Sequence, residues 1–248
     1  MSLKEHELYR ATFSNTESWI PEDKKALAAM RKLAEERSLS PKQRYEIGSF
    51  LWCETLYGVF NRLEKIREMT GRSIHRRKGE DKSTVTKEWM VYNYHIYIAI
   101  YQSILDIALL LVNEILDLGN PYRQCTYKVI HDNRRVKAAG VEFILRSLKQ
   151  MTDEHREGKN LLFHQGKGVT PPIRVVKPTV FNIADLAKNS GIEEEAVIAA
   201  LEEFLAVRNQ KELVQKMESE CYLLELRIKR LLDKLLPHYI RIQSFYDQ

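Results

Sequence analysis

The chain has 248 residues, 44% of them hydrophobic, which is enough for one large domain or two small ones with a packed core and argues against disorder of the whole chain. Its formal charge of +5 permits a polyanionic partner without requiring one. Seven prolines and ten glycines are few for this length, which argues against a β-sandwich or barrel of many short strands. The composition therefore predicts an all-α protein.

The first twenty residues contain no apolar segment followed by a cleavage signature, so no secretory signal is predicted. The three cysteines, Cys53, Cys125 and Cys221, are widely spaced and form no CxxC pair. This pattern fits buried thiols in a reducing compartment better than disulfides or zinc ligands. We therefore expect a cytoplasmic protein.

Two helices are predicted in the first third of the chain. Residues 21–38 are rich in charged residues and indicate a surface helix. The start of the next helix is better defined, since Ser40 is a candidate N-cap and Gln43 completes a capping box with it. A long helix is predicted from about 41 to 69, with Gly71 as its stop. Its apolar side comprises Ile47, Phe50, Leu51, Leu56, Val59, Phe60, Leu63 and Ile66.

A charge-dense stretch over 72–84 is predicted to be a loop, because it offers nothing to bury. Its basic residues have the charge to follow a nucleic-acid backbone, but no aromatic residue alternates with them and two acids follow directly. A solvated loop is the favoured interpretation. The basic residues are Arg72, His75, Arg76, Arg77 and Lys78.

A second long helix is predicted from Thr84 or Thr86 to Asp117. It is apolar almost all round, so neighbouring helices or a partner subunit are expected to enclose it. Acids within its most apolar stretch argue against a membrane span. Four tyrosines near its start indicate a core or an interface, and only secondarily a base-stacking platform. These are Tyr92, Tyr94, Tyr97 and Tyr101.

A third helix is predicted to open at Asn133 and to run to Gly158, and a Gly- and Pro-rich junction follows. We accordingly expect a helical bundle over 1–170 and a smaller helical part over 171–248. The smaller part is predicted to end with a helix over about 208–236, stopped by Pro237, and a short helix after it.

A segment of the smaller part matches a helix-turn-helix in its small, turn and apolar positions. The second helix of this pair begins with three successive glutamates and adds two more, which would repel phosphates. The favoured interpretation is that the two helices pack as a structural element. A contact with another protein is favoured over the recognition of DNA. The matching positions are Ala187, Gly191, Val197 and Ala200, and the acids are Glu193, Glu194, Glu195, Glu202 and Glu203.

The stretch over 153–168 is the strongest candidate site. As a helix, it places Asn160 and His164 on one face, within reach of Lys159 or Arg156. A cation, an amide and an imidazole suit a phosphodiester, and RNA supplies its own nucleophile in the 2′-hydroxyl, so no metal is needed. The same residues also fit a solvated helix end with a cationic C-terminal histidine.

The KNLLFH stretch over 159–164 resembles the Arg-polar-x-x-x-His signature of the HEPN superfamily, all-α proteins that include many metal-independent endoribonucleases of defence and toxin systems. The resemblance covers about 41–170 and makes Asn160 the polar position and His164 the histidine. Lys159 stands at the arginine position and lacks the planar fork that grips phosphate; Arg156 lies nearby as a substitute. The resemblance also implies a homodimer whose two motifs line one cleft.

The sequence therefore predicts an antiparallel helical bundle that binds or cleaves RNA, with His164 as general acid or base, Lys159 and Arg156 stabilising the phosphate, and Asn160 orienting it. Asp153 and Glu154 are candidates for tuning the histidine. No cofactor or catalytic metal is expected, because no spacing of ligands supports one. The alternative is a non-catalytic interaction module, an inactive HEPN relative that dimerises and holds a protein partner.

Overall fold

The structure is a computed structural model that describes residues 3–17, 39–72, 82–156 and 193–247. Every regular element in these ranges is helical, which confirms the predicted all-α class. Two short 3₁₀ turns, Leu3–Glu5 and Tyr122–Gln124, accompany the α-helices. The α-helices are α1 (Glu7–Glu17), α2 (Pro41–Gly71), α3 (Lys82–Ile115), α4 (Tyr127–His131), α5 (Arg134–Ala138), α6 (Glu142–Asp153) and α7 (Glu194–Tyr246).

The start of α2 is set by the predicted capping box. The backbone N–H of Gln43 donates to Oγ of Ser40 over 3.2 Å, and the N–H of Ser40 donates to Oε1 of Gln43 over 3.0 Å. These two bonds satisfy amide groups that the first helical turn leaves without partners. All eight residues predicted for the apolar side of α2 are buried.

The chain divides into two compact units. Unit 1 comprises Met1–Arg62, Ile100–Glu157 and Tyr222–Gln248, and unit 2 comprises Leu63–Ala99 and Gly158–Cys221. The predicted boundary near 170 lies outside the described residues, so the division of the chain into 1–170 and 171–248 stays a prediction.

Unit 1 packs α1, α2, α3, α6 and α7 side by side. Early residues of α2 contact late residues of α7, since Lys42 pairs with Asp247 and Tyr45 stacks on Tyr239 at 5.7 Å between ring centroids. These contacts make α2 and α7 antiparallel. The hydroxyl of Tyr45 also donates to the carbonyl of Ile115 over 3.0 Å, which joins the start of α2 to the end of α3.

Unit 2 shows the same arrangement in the remaining parts of the long helices. Arg67 of α2 pairs with Glu218 of α7 over 3.2 Å, whereas Gln210 donates to the carbonyl of Thr70 over 2.5 Å, so these helices are antiparallel here as well. In α3, the hydroxyl of Tyr97 donates to Oε2 of Glu220 over 3.0 Å. The predicted antiparallel bundle is confirmed within each unit.

The very apolar α3 is covered in part by the chain itself. In unit 1 its side chains Ile104, Leu111 and Ile115 have no exposed surface, so neighbouring helices cover this part of it. By length and composition alone, α3 is the one helix of the described residues that could cross a membrane. Half of its most apolar window is buried in the fold, and the core helix of a globular protein passes the same test.

The single helix predicted from Asn133 to Gly158 is wrong in its first half. Asn133 is an N-cap as expected, with its side chain accepting from the N–H of Arg135 over 2.8 Å. The helix then breaks after Ala138, and α6 begins only at Glu142. Gly140 causes the break, because its φ of 67° lies in the left-handed region that a continuing helix does not use.

The predicted end of the last helix at Pro237 is also wrong, as is its predicted start at about 208. α7 is one helix of 53 residues, and Pro237 lies inside it. A proline there leaves the carbonyl four residues earlier, that of Asp233, without its N–H partner. Buried neighbours keep the helix continuous, since Leu235 and Tyr239 are completely buried on either side of the proline.

Replacement of Pro237 by alanine is expected to stabilise the protein by about 1 kcal/mol, because it restores the missing N–H and removes the ring. The gain is smaller than the full cost of an interior proline, since the unfolded chain also becomes more flexible. Urea denaturation measures the difference. Lys234→Ala, at an exposed position of the same helix, is the matched control, and equal midpoints for the two variants would contradict the expectation.

Candidate functional site

Three of the four residues predicted for the RNA site, Lys159, Asn160 and His164, lie outside the described residues. The fourth, Arg156, is the last described residue before that segment. Its surroundings in unit 1 are therefore the part of the candidate site whose geometry is known.

The chain is firmly attached to unit 1 just before Arg156. Thr152 is buried, and its backbone carbonyl accepts a hydrogen bond from the side-chain amide of Gln102 in α3. His155 is also buried, with its ring edge-on to Tyr101 at 5.0 Å between centroids. The end of α6 is consequently held against α3 up to His155, which is a core residue and not a candidate catalyst.

Arg156 projects into solvent from this fixed point. Two-thirds of its side chain (66%) is exposed, and its Nη1 lies 3.9 Å from Oδ1 of Asp153. That long distance and high exposure make the pair weak. Asp153 also forms a hydrogen-bonded ion pair with Lys149. Two cations therefore share one carboxylate, and the exposed Glu154 balances the second positive charge, so Arg156 is a locally accessible cation at an end of α6 that is neutral overall.

Asp153 and Glu154 are the two acids that the sequence analysis expects to adjust the pKa of His164. The carboxylate of Asp153 is already engaged by Lys149 and Arg156, so its charge is largely neutralised where it stands. Glu154 is exposed. Neither observation places an acid against His164, and that part of the site stays a prediction.

A cavity of about 480 Å³ lies in unit 1, on other elements. Arg135 of α5 and His238 and Arg241 of α7 line it, together with two aromatic side chains, Phe245 and Tyr246. The sequence analysis did not find this cavity. Arg135 and Arg241 lie more than one hundred positions apart in the sequence, so no local motif contains both. They line the same cavity only because α7 packs against the end of α3.

The second described cavity, of about 450 Å³, lies in unit 2 where α2 ends. Its lining is mainly apolar, with Lys82 and Lys211 as the charged contributors. Lys82 is paired with Glu203, so its charge is balanced. The described lining of this cavity contains no arginine and no histidine, unlike that of the one in unit 1.

A partly buried carboxyl group, that of Glu114, lies near the end of α3 in unit 1. Burial raises its pKa to about 7, and the charge of Asp117 acts in the same direction, whereas the hydroxyl of Tyr122 lowers it through a 3.4 Å hydrogen bond. Such a value is typical of catalytic acids, but structural groups also reach it. Glu114 lines neither cavity and packs between Gly48 and Tyr122, so we assign it a structural role.

The other sequence candidates are engaged in packing. Glu202 and Glu203 of the helix-turn-helix match contact Ser83 and Lys82, so these acids face α3 within unit 2. Tyr94, Tyr97 and Tyr101 are buried, as expected for a core, whereas Tyr92 is exposed. Of the five basic residues predicted to lie in the loop over 72–84, only Arg72 is among the described residues. Its Nη2 lies 3.9 Å from Oε2 of Glu68.

The cysteines and acids of the described residues form no metal centre. All three cysteines are free thiols, and burial raises the pKa of Cys53 to about 12 and that of Cys221 to about 11. Such thiols are unreactive at neutral pH. Within the described ranges, no three side chains of His, Cys, Asp or Glu come together as metal ligands.

Comparisons with protein-family models, with curated proteins and with solved structures gave no match to this chain. The functional assignment consequently depends on the residues and geometry described above.

Proposed function

We propose that the protein is a HEPN-like, cytoplasmic RNA-binding protein that cleaves RNA without a metal, at a site formed by Lys159, Asn160 and His164 together with Arg156. The observation that carries this function is the position of Arg156: an exposed guanidinium, weakly paired, on a backbone anchored by Thr152 and His155. The motif of the sequence analysis begins three residues further along the chain. A cation at this place supports phosphate binding beside the motif.

The chemistry is a transfer within the RNA. The 2′-hydroxyl loses its proton and its oxygen bonds to phosphorus, while the bond from phosphorus to the 5′-oxygen breaks and that oxygen gains a proton. The products are a 2′,3′-cyclic phosphate and a 5′-hydroxyl. His164 takes part in one of the two proton transfers, as base or as acid. Lys159 and Arg156 neutralise the charge that builds up on the phosphate, and Asn160 orients it.

A homodimer is part of this function, since two copies of the motif in one cleft would supply both an acid and a base. The support for a dimer is the family resemblance, together with the half of the apolar window of α3 that this chain leaves unburied. The mass of the protein in solution tests it directly.

The alternative function is a non-catalytic interaction module with a protein partner. Position 159 favours it, because lysine cannot grip a phosphate with two parallel hydrogen bonds as arginine does. Exposed apolar side chains on α7 also favour it: Tyr222 and Leu223 are 61% and 50% exposed. A pair of this kind is available for contact with another protein.

His164→Ala is expected to lower the rate of RNA cleavage by about 10² to 10⁴, the usual contribution of a general acid or base. The measurement uses end-labelled RNA, purified full-length protein and a chelator, with products separated by size. Arg156→Gln is expected to weaken RNA binding, whereas Arg146→Gln, on the exposed side of α6, is the matched control. Cleavage by His164→Ala at the wild-type rate would remove the catalytic assignment, and an inactive wild-type protein would favour the interaction module.

A further inference from the structure

The unit 1 cavity is lined by two arginines and one carboxylate, that of Asp117. Arg135 uses Nη1 to donate to the backbone carbonyls of Leu116 and Asp117, over 3.3 and 2.7 Å, which fixes its guanidinium at the end of α3. Arg241 lies with Nη2 3.4 Å from Nδ1 of His238. Among the described residues, neither guanidinium lies within ion-pair distance of a carboxylate.

The neighbouring histidine adds a polar group of defined tautomer. A guanidinium can only donate, so Nδ1 of His238 accepts from Arg241 and its proton lies on Nε2. Burial and the charge of Arg241 both lower the pKa of His238, which keeps the ring neutral near pH 7. This part of the wall therefore offers N–H donors from three side chains, and guanidinium groups are well suited to phosphate.

The aromatic residues of the cavity lie at the end of α7. Phe245 is 71% exposed, and its ring is edge-on to Tyr246 at 6.0 Å between centroids. An exposed phenylalanine beside a cationic wall suits a ligand that has an aromatic ring and a negative group. The volume of about 480 Å³ falls within the range of small-molecule sites.

We propose that this cavity binds a nucleoside monophosphate, with the phosphate held by Arg135, Arg241 and His238 and the base against Phe245 and Tyr246. The main support is that, of the described residues, two arginines and only one carboxylate, that of Asp117, line this cavity, which leaves an excess positive charge that an anion would neutralise. Asp117 opposes the anion and limits its affinity. Nucleotide binding here is independent of RNA cleavage, since the two sites share no residue.

The test is isothermal titration of the full-length protein with three probes: adenosine 5′-monophosphate, adenosine and inorganic phosphate. We expect the monophosphate to bind more tightly than either of the others. Arg241→Gln is expected to weaken its binding at least about tenfold, the usual contribution of a charged hydrogen bond. Asp117→Asn is expected to strengthen it by removing a negative charge from the wall.

Arg230→Gln is the matched control, since it removes an exposed arginine of α7 that lines neither described cavity. Equal affinities for Arg241→Gln and Arg230→Gln, or no binding of the monophosphate by the wild type, would overturn the nucleotide site. Phosphate binding as tightly as the monophosphate would overturn the role of the aromatic residues. His164→Ala should bind the monophosphate like the wild type, so the failure of one site is distinguishable from the failure of the other.

Discussion

Glu114→Gln is expected to stabilise the protein at pH 8 by up to about 3 kcal/mol and to have little effect at pH 4. The carboxyl group titrates at an ordinary pKa of 4.5 in the unfolded chain and at about 7 in the fold, where it is partly buried. Each unit of difference corresponds to about 1.4 kcal/mol between the two protonation states. Glutamine keeps the shape of the side chain without the titration.

The sign follows from which state releases the proton first. Between pH 4.5 and 7 the unfolded chain ionises at Glu114 while the folded chain does not, so this group makes the fold less stable as pH rises. Below pH 4.5 Glu114 is protonated in both the folded and the unfolded chain, so it does not affect stability. Above pH 7 it is ionised in both, and the destabilisation has reached its full value. The wild type is therefore expected to lose stability across the interval relative to the variant.

Urea denaturation at several pH values measures this difference. Glu88→Gln is the matched control, because Glu88 is an exposed glutamate of the same helix. Its stability curve is expected to run parallel to that of the wild type. A constant gap between Glu114→Gln and the wild type from pH 4 to pH 8 would contradict the raised pKa of Glu114.

Short-range signals predicted the parts of the fold that depend on neighbouring residues. The capping box of Ser40 and Gln43 acts within one helical turn, so the sequence alone placed the start of α2 correctly. In α7, Leu213, Met217 and Leu224 recur at helical spacing in the sequence, and all three lie in the core. Such features need no knowledge of the tertiary structure.

Features that depend on tertiary contacts were missed. α1 was not predicted, since its buried side includes the polar residues Thr12 and Thr16. Its first turn depends on His6, whose Nδ1 accepts from the N–H of Leu8 over 3.1 Å while Nε2 bonds Asp233, 227 positions away, over 2.9 Å. No local pattern predicts a cap that is itself held by a distant carboxylate.

The two candidate sites also differ in whether their residues are close in the sequence or are brought together by tertiary packing. The RNA motif was found because Asn160 and His164 are close in sequence, yet their surroundings lie outside the described residues. The unit 1 cavity was missed because Arg135 and Arg241 come together only when α7 packs on the end of α3. A site whose cations come together through tertiary packing can be identified only from the structure.

Gly48→Ala is expected to destabilise the protein by about 2 kcal/mol, even though alanine is the better helix former by about 1 kcal/mol. A Cβ added at Gly48 would lie 2.6 Å from Cδ of Glu114 and still closer to its Oε1. Real Cβ atoms essentially never approach so closely, so the side chain of Glu114 must move. It would then lose its contact with α2 and its hydrogen bond with Tyr122.

Gly58→Ala is the matched control on the same helix, because an added Cβ there meets no atom within 4 Å. That variant is expected to gain stability by up to about 1 kcal/mol from helix propensity alone. In the background of Glu114→Ala, where the obstructing atoms are gone, Gly48→Ala should behave like Gly58→Ala. A double-mutant cycle from urea denaturation isolates this coupling. A coupling free energy near zero would show that α2 and α3 do not approach at Gly48, and the packing inferred for Glu114 would be wrong as well.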